Sequence, residues 1–185
     1  MSTLILNNLQ SNQANGVIGV SSGNIVYSPG SMVQIQSTTK TDTFSAAPNG
    51  TWTDITGMTV TITPRRTASK IWLVMSVVGA GSGTTPKVRL LRNIPTANTV
   101  IAVGDAAGSR QQATLGSYLM KDGNQNDTYT QNFLDSPSTT SAITYKLQIN
   151  NDNTNTWFLN RSVNDQDNST GGRYISTITA IEVAG

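Results

Sequence analysis

Apolar and polar residues alternate over much of this chain. Met58, Val60 and Ile62 alternate with Thr59, Thr61 and Thr63, the period of two expected of a half-buried strand with a threonine outer face. Pro64 ends the run because it lacks the amide that a sheet interior needs. Arg65, Arg66 and Thr67 then keep the turn wet. From 71 to 78 only Ser76 interrupts the apolar residues, many of them β-branched. That run predicts a strand covered on both faces, at the centre of a sandwich or an oligomer. The two strands read as a hairpin on which the core assembles, with Trp72 as a core residue. The cleanest alternation spans 141–149, with Ile143, Tyr145, Leu147 and Ile149 facing in and Thr144, Lys146 and Gln148 facing out. Over 87–92, Val88 and Leu90 face in and Lys87 and Arg89 face out.

The remaining strands are predicted over 32–44 (one long strand, with a bulge), 51–56, 99–103, 128–134, 156–160 and 173–183. A polar loop at 121–127 precedes the 128–134 strand, and another at 163–172 precedes the last one. The segment 113–120 could hold a helical turn, although Gly116 weakens it. The glycine-rich stretch 79–86 reads as a hairpin tip, since it lacks the Gly-Lys-Ser/Thr ending of a phosphate loop and no helical pattern follows. Strands recurring every 8–15 residues with turn chemistry between them predict an all-β fold, an antiparallel β-sandwich or jelly roll with little helix.

Residues 1–31 differ from the rest. Short β-like pieces alternate there with strong turn signals such as Asn15-Gly16 and Ser28-Pro29-Gly30. Three-residue strands cannot bury a core alone. We therefore expect two parts. Residues 1–31 form an extended docking strip whose contacts come from Leu4, Ile5, Leu6, Leu9, Val17, Ile18, Ile25, Val26 and Tyr27. Residues 32–185 form the sandwich.

Composition narrows the chemistry. Charged residues make up 12% of the chain and the net charge is +2, whereas Ser, Thr and Asn make up roughly a third, well above the usual share. Arg65-Arg66 is the only adjacent cation pair, so no basic patch for nucleic acid is expected. There is no Cys and no His, which removes thiolate metal sites and the commonest general base and metal ligand. No basic n-region precedes Leu4-Ile5-Leu6, so no signal peptide is expected, and no window is long and apolar enough for a membrane span.

No stretch declares a catalytic reaction, and no catalytic residue, metal or cofactor is expected. Asp165-Gln166-Asp167-Asn168 clusters oxygens as a calcium loop would, but Thr170 stands where an EF-hand needs Gly and Ser176 where it needs Glu. Glu182, between Ile181 and Val183, reads as an outward charge. Asp54 and Asp135 read as capping residues at strand edges. Trp52 and Trp157 flank polar loops, where an aromatic ring could stack on a sugar, although core or interface packing is the commoner role.

The segments PGSMVQ (29–34), KTDTF (40–44), TWTDITGMTVTITP (51–64), SKIWL (69–73), FLDSP (133–137), 144–149 and ISTITAIEV (175–183) follow one another in an order and spacing that resemble a domain of marine and cyanobacterial bacteriophage structural proteins, often labelled tail-fibre-like. The start, STLILNNLQS through SSGNIVYSPGS, resembles that of short phage fibre proteins. The resemblance implies a non-enzymatic virion protein, homotrimeric, made in the host cytoplasm and assembled with other capsid or tail proteins. Two jobs fit that class. A short fibre or knob would bind host-surface glycans through the loops 121–127 and 163–172, with Trp157, Asp165, Asp167, Asn168 and Tyr174 as ligand-loop residues. A capsid decoration protein would instead clamp capsomers through its N-terminal strip. A free carbohydrate-binding module, unconnected to any particle, is the alternative from a different class.

Overall fold

The computed structural model describes residues 28–95, 97–117 and 123–185. Every regular element among the described residues is a strand: β1 (Met32–Lys40), β2 (Phe44–Ala46), β3 (Thr53–Ile62), β4 (Lys70–Gly81), β5 (Lys87–Ile94), β6 (Ala97–Ile101), β7 (Leu115–Gly116), β8 (Asp127–Asp135), β9 (Ile143–Asn150), β10 (Trp157–Leu159) and β11 (Ser176–Val183). All pairings are antiparallel and fall into two sheets. The 113–120 segment, where a helical turn was conceivable, contributes β7 instead.

Three of the strands are interrupted. β10 and β11 lie end to end along one edge of β4, Leu159 opposite Gly79 and Thr177 opposite Ser76. β2 and β1 continue one another along β10 and β11. β6 and β7 share the free edge of β5. Counting each interrupted strand as one row gives two four-row sheets. The first runs β1/β2, β10/β11, β4, β8, and the second runs β3, β9, β5, β6/β7. In chain order these rows are 1-8-3-6 and 2-7-4-5, two interleaved Greek keys. The fold is therefore a jelly roll.

The core lies between the sheets and follows the period-two pattern. Met58, Val60 and Ile62 of β3, Val88 and Leu90 of β5, Ile143, Tyr145, Leu147 and Ile149 of β9 and Ile178 and Ala180 of β11 are all buried there. β4 supplies Ile71, Leu73, Met75 and Val77. Gly57, at φ +85°, sits in a bulge between Asp54 and Thr59 that shifts β3's pairing register on β9.

Several sequence expectations are corrected. β3 and β4 are not a hairpin, because they lie in different sheets and residues 63–69 cross between them. The 82–86 connection likewise crosses from β4 to β5 and is not a hairpin tip. Within one chain the first half of β4 is covered on its inner face alone, with Trp72 37% exposed and Val74 39%, whereas Val78 and Ala80 further along are buried. Trp72 is thus not core. Glu182 is not an outward charge, since it lies in phase with Ile178 and Ala180 and is fully buried. Its carboxylate accepts from Gln34 Nε2 (2.6 Å) and from the backbone N–H of Arg65 (2.8 Å), so it fastens the 63–69 crossing to the first sheet. Asp135 is more than a cap. It is buried, with one oxygen bound by Tyr145 and the other by Arg92. The predicted docking residues Leu4, Ile5, Leu6, Leu9, Val17, Ile18, Ile25, Val26 and Tyr27 lie outside the described residues.

Candidate functional site

The register of β4 brings two loops together. Asp127, where β8 begins, pairs with Gly79 on one edge of β4, and Leu159, where β10 ends, pairs with the same Gly79 on the other edge. The segment before β8 and the 160–175 excursion therefore leave the sheet at one level. Asn164 stitches them, donating its backbone N–H to Gly123 O and its side-chain amide to Asn124 Oδ1, both at 3.0 Å.

The neck of the excursion is held by buried polar groups. Asn160 is completely buried at φ +62°. Its side-chain amide donates to the carbonyls of Lys40 (2.9 Å) and Asp42 (3.0 Å), spanning the gap between β1 and β2. Its Oδ1 accepts from the Ser176 hydroxyl at 2.7 Å, and Ser176 Oγ accepts in turn from the Val78 N–H at 3.0 Å. The Asn160 N–H donates to Val78 O, and its carbonyl receives the Tyr174 N–H. In this way the two ends of a sixteen-residue excursion close on each other with their polar groups paired.

Beyond the neck the excursion is shaped by short-range bonds. Asn168 Oδ1 accepts from the N–H and hydroxyl of Thr170 and from the Gly171 N–H, an Asx-type turn. Arg161 stacks on the Phe158 ring with its guanidinium carbon 4.0 Å from the centroid, and lies 3.4 Å from the Asp165 carboxylate. Arg173 binds the other oxygen of Asp165. With both oxygens engaged by arginines, Asp165 is poorly suited to a cation. No group of three or more acidic residues among the described ones is placed to hold a metal ion.

Between the loops lies a cleft of about 280 Å³, at the small end of ligand sites. Asn124 and Asn126 line it from one side, and Ser162, Gln166, Thr170 and Tyr174 from the excursion, with Gly171 and Gly172 beside them. None of these side chains is charged. Tyr174 is 38% exposed and presents an aromatic surface. Asn126 Oδ1 is buried and accepts no hydrogen bond from the protein. Gly172 leaves room for the tyrosine: a Cβ there would fall 2.5 Å from the Tyr174 hydroxyl oxygen. An arrangement of amides, hydroxyls and one aromatic ring can satisfy the hydroxyls and apolar face of a small polyol, and it contains no acid–base pair.

The five ligand-loop residues named from sequence are distributed unevenly. Tyr174 lines the cleft. Asp165, Asp167 and Asn168 line an adjoining shallow groove that Arg173 also borders. Trp157 belongs to neither, for it is fully buried in the core, flat against Gly79. Trp52 is half-buried at the surface of the second sheet under Arg89, whose guanidinium carbon sits 4.3 Å from its ring centroid. Asn124, Asn126, Ser162 and Gln166 are not among the ligand-loop residues expected from sequence. Polarity and turn chemistry mark their loops, but polarity alone does not say which amides converge.

No protein-family model matches the chain, and no curated protein matches it by sequence. Among solved structures it is similar to chains of infectious bursal disease virus. These are the Gt strain (TM-score 0.45, 13% identity, 91% of this chain and 42% of that one) and the Gx strain (TM-score 0.44, 13% identity, 91% and 41%). A mutant VP2 protein of the same virus, in T=1 particles, gives TM-score 0.42 and 12% identity over 91% of this chain and 40% of that one. The chain spans less than half the length of the chains it matches. The assignment as a jelly roll rests on the strand order described above.

Proposed function

We propose that this chain is a non-enzymatic virion protein, displayed on the particle as a short fibre or knob, whose cleft takes a neutral sugar of the host surface. The observation that carries the reading is the meeting of the 123–126 and 160–175 loops around uncharged amides, hydroxyls and Tyr174. Two further points support it. Jelly rolls serve both as viral shell domains and as lectins, and the chain resembles phage structural proteins in the segments quoted above. On this reading the chain assembles as a homotrimer and joins capsid or tail proteins.

Two measurements test the parts separately. Antibody labelling of purified particles is expected to decorate them, and a protein absent from particles would sink the virion role. Screening the full chain against immobilised glycans is expected to give binding to neutral sugars that Tyr174→Ala abolishes. Labelled particles with no glycan binding would retain the structural role and remove attachment. Glycan binding without particle labelling would make the chain a free carbohydrate-binding module.

A further inference from the structure

The outer faces of the two sheets are unlike. On the second sheet the outward residues are mostly polar, with Val100 beside Leu91 and Trp52 under Arg89 as the apolar ones: Thr61 bonds Thr144 across the strands, Asp54 bonds Lys146 and Gln148, and Arg89 bonds Gln148. That is an ordinary wet face. On the first sheet an apolar row crosses all four strands in register. Leu134 of β8 pairs with Trp72 of β4, Trp72 with Ile181 of β11 and Ile181 with Ile35 of β1. Val74 lies beside Trp72, and Met32 lies at the β1 end. Leu134, Ile35 and Met32 are 49%, 56% and 63% exposed. A contiguous apolar strip of this kind marks a surface with a partner.

We propose that residues 17–27 of the same chain cover this row. The described chain starts at the rim of the row. The Gly30 N–H donates to Ala184 O (2.8 Å) and the Ala184 N–H to Ser31 O (2.9 Å), which fixes Ser31 at the end of the sheet beside Met32. Just before it, the Ser31 N–H donates to Ser28 O at 2.9 Å, and Gly30 has φ +83° after Pro29. A proline followed by a glycine at positive φ, closed by that bond, is a type II β-turn, which reverses the chain. A segment continuing this turn backward from Ser28 would run toward the domain and not away from it.

Length and chemistry agree with this direction. Crossing four strands takes about 15 Å, three inter-strand spacings, which about five extended residues cover. Val17, Ile18, Val20, Ile25, Val26 and Tyr27 supply apolar side chains over eleven positions. No Asp, Glu, Lys or Arg occurs before Lys40, so the segment can lie on the row without burying a charge.

The absence of cysteine allows a direct test on the full chain. Ser22→Cys carries a nitroxide, and methyl resonances are read by NMR. Signals of Ile35, Ile181 and Leu134 are expected to broaden while that of Leu91, in the other sheet, stays sharp. Mixing nitroxide-bearing chains without isotope with isotope-labelled chains without nitroxide is expected to give no broadening. Val26→Asp in the labelled chain is expected to remove the effect. A row that stays sharp would overturn the proposal. So would broadening in the mixed sample, which would make a second copy the occupant, or broadening that survives Val26→Asp, which would show tethering without docking.

Discussion

Tyr145 donates its hydroxyl to Asp135 at 2.7 Å, and the bond joins the two sheets. Asp135 ends β8 in the first sheet, while Tyr145 and its cross-strand neighbour Arg92, which binds the other carboxylate oxygen at 2.7 Å, belong to the second. Both sheets are thus pinned at this end by a buried acid whose partners sit side by side. Removing the acid strands both donors, whereas removing the hydroxyl leaves one carboxylate oxygen without its donor while Arg92 still holds the other. Asp135→Ala is expected to cost about 3 kcal/mol and Tyr145→Phe about 1.5 kcal/mol, measured by urea unfolding. Equal costs would show that the arginine carries no share.

The same burial sets the alkaline limit. Burial pushes Tyr145 well above the ordinary tyrosine range, and the bond to Asp135 pushes it further. Burial also raises Tyr129, with the charge of Asp127 adding to it. Because the folded state favours the neutral phenols, this stability is whole below about pH 10 and is lost as pH rises beyond it. Following phenolate absorbance, these two tyrosines are expected to ionise only together with unfolding. A smooth titration of all five with the fold intact would contradict the burial.

At the acid end the sign reverses. Burial works against the Asp54 carboxylate, but the hydrogen bonds from Lys146 and Gln148 outweigh it and hold its pKa below the ordinary value. Asp152 is held low chiefly by the bond from Lys87, against burial, with help from Thr85. Their contribution is present above about pH 4 and lost as pH falls through the depressed folded values. A chain carrying Asp54→Asn and Asp152→Asn should lose less stability than the parent between pH 4 and pH 2, read from urea midpoints. Parallel curves would mean that these exposed pairs contribute nothing.

Trp157 lies flat on Gly79, where an added Cβ would meet the indole at 2.5 Å. Since the ring is fully buried, it has nowhere to retreat. Gly79→Ala is expected to destabilise by about 1–3 kcal/mol and to change near-ultraviolet circular dichroism through the displaced indole.

The cleft offers the opposite case, a glycine whose loss would harm binding and not folding. Gly172→Ala would force the Tyr174 hydroxyl aside in an exposed loop. We expect an unfolding midpoint within experimental error of the parent together with loss of glycan binding. A binder that tolerates alanine here would place recognition elsewhere on the surface.

Much of the fold was legible because alternation reports which side a residue faces. It made Ile143, Tyr145, Leu147 and Ile149 core residues, as they are. It does not report which strand lies alongside, so β3 and β4, adjacent in sequence and joined by a basic turn, looked like a hairpin although they face each other across the sandwich. The apolar run of β4 concealed its own parity: with Ile71, Leu73 and Met75 inside, Trp72 and Val74 had to be outside. Glu182 is the converse case: its charge points to an outward position, whereas its phase with Ile178 and Ala180 puts it inside. The cleft was half legible. Both loops stood out as polar, but their meeting depends on β8 and β10 registering on the two edges of Gly79, and pairing of that kind leaves no local signal.

The closed neck at Asn160 and Ser176 separates two inheritances. Apart from Arg161, stacked on Phe158 of β10, the excursion is held to the sheets at its first residue and just past its last: the bonds to Lys40, Asp42 and Val78 come from Asn160 and Ser176. The residues in the middle are answerable only to one another and to the neighbouring loop. The excursion is thus an exchangeable cassette in a fixed socket. Descendants of this chain can acquire a new specificity by rewriting 163–173 while the sandwich that presents it goes unaltered.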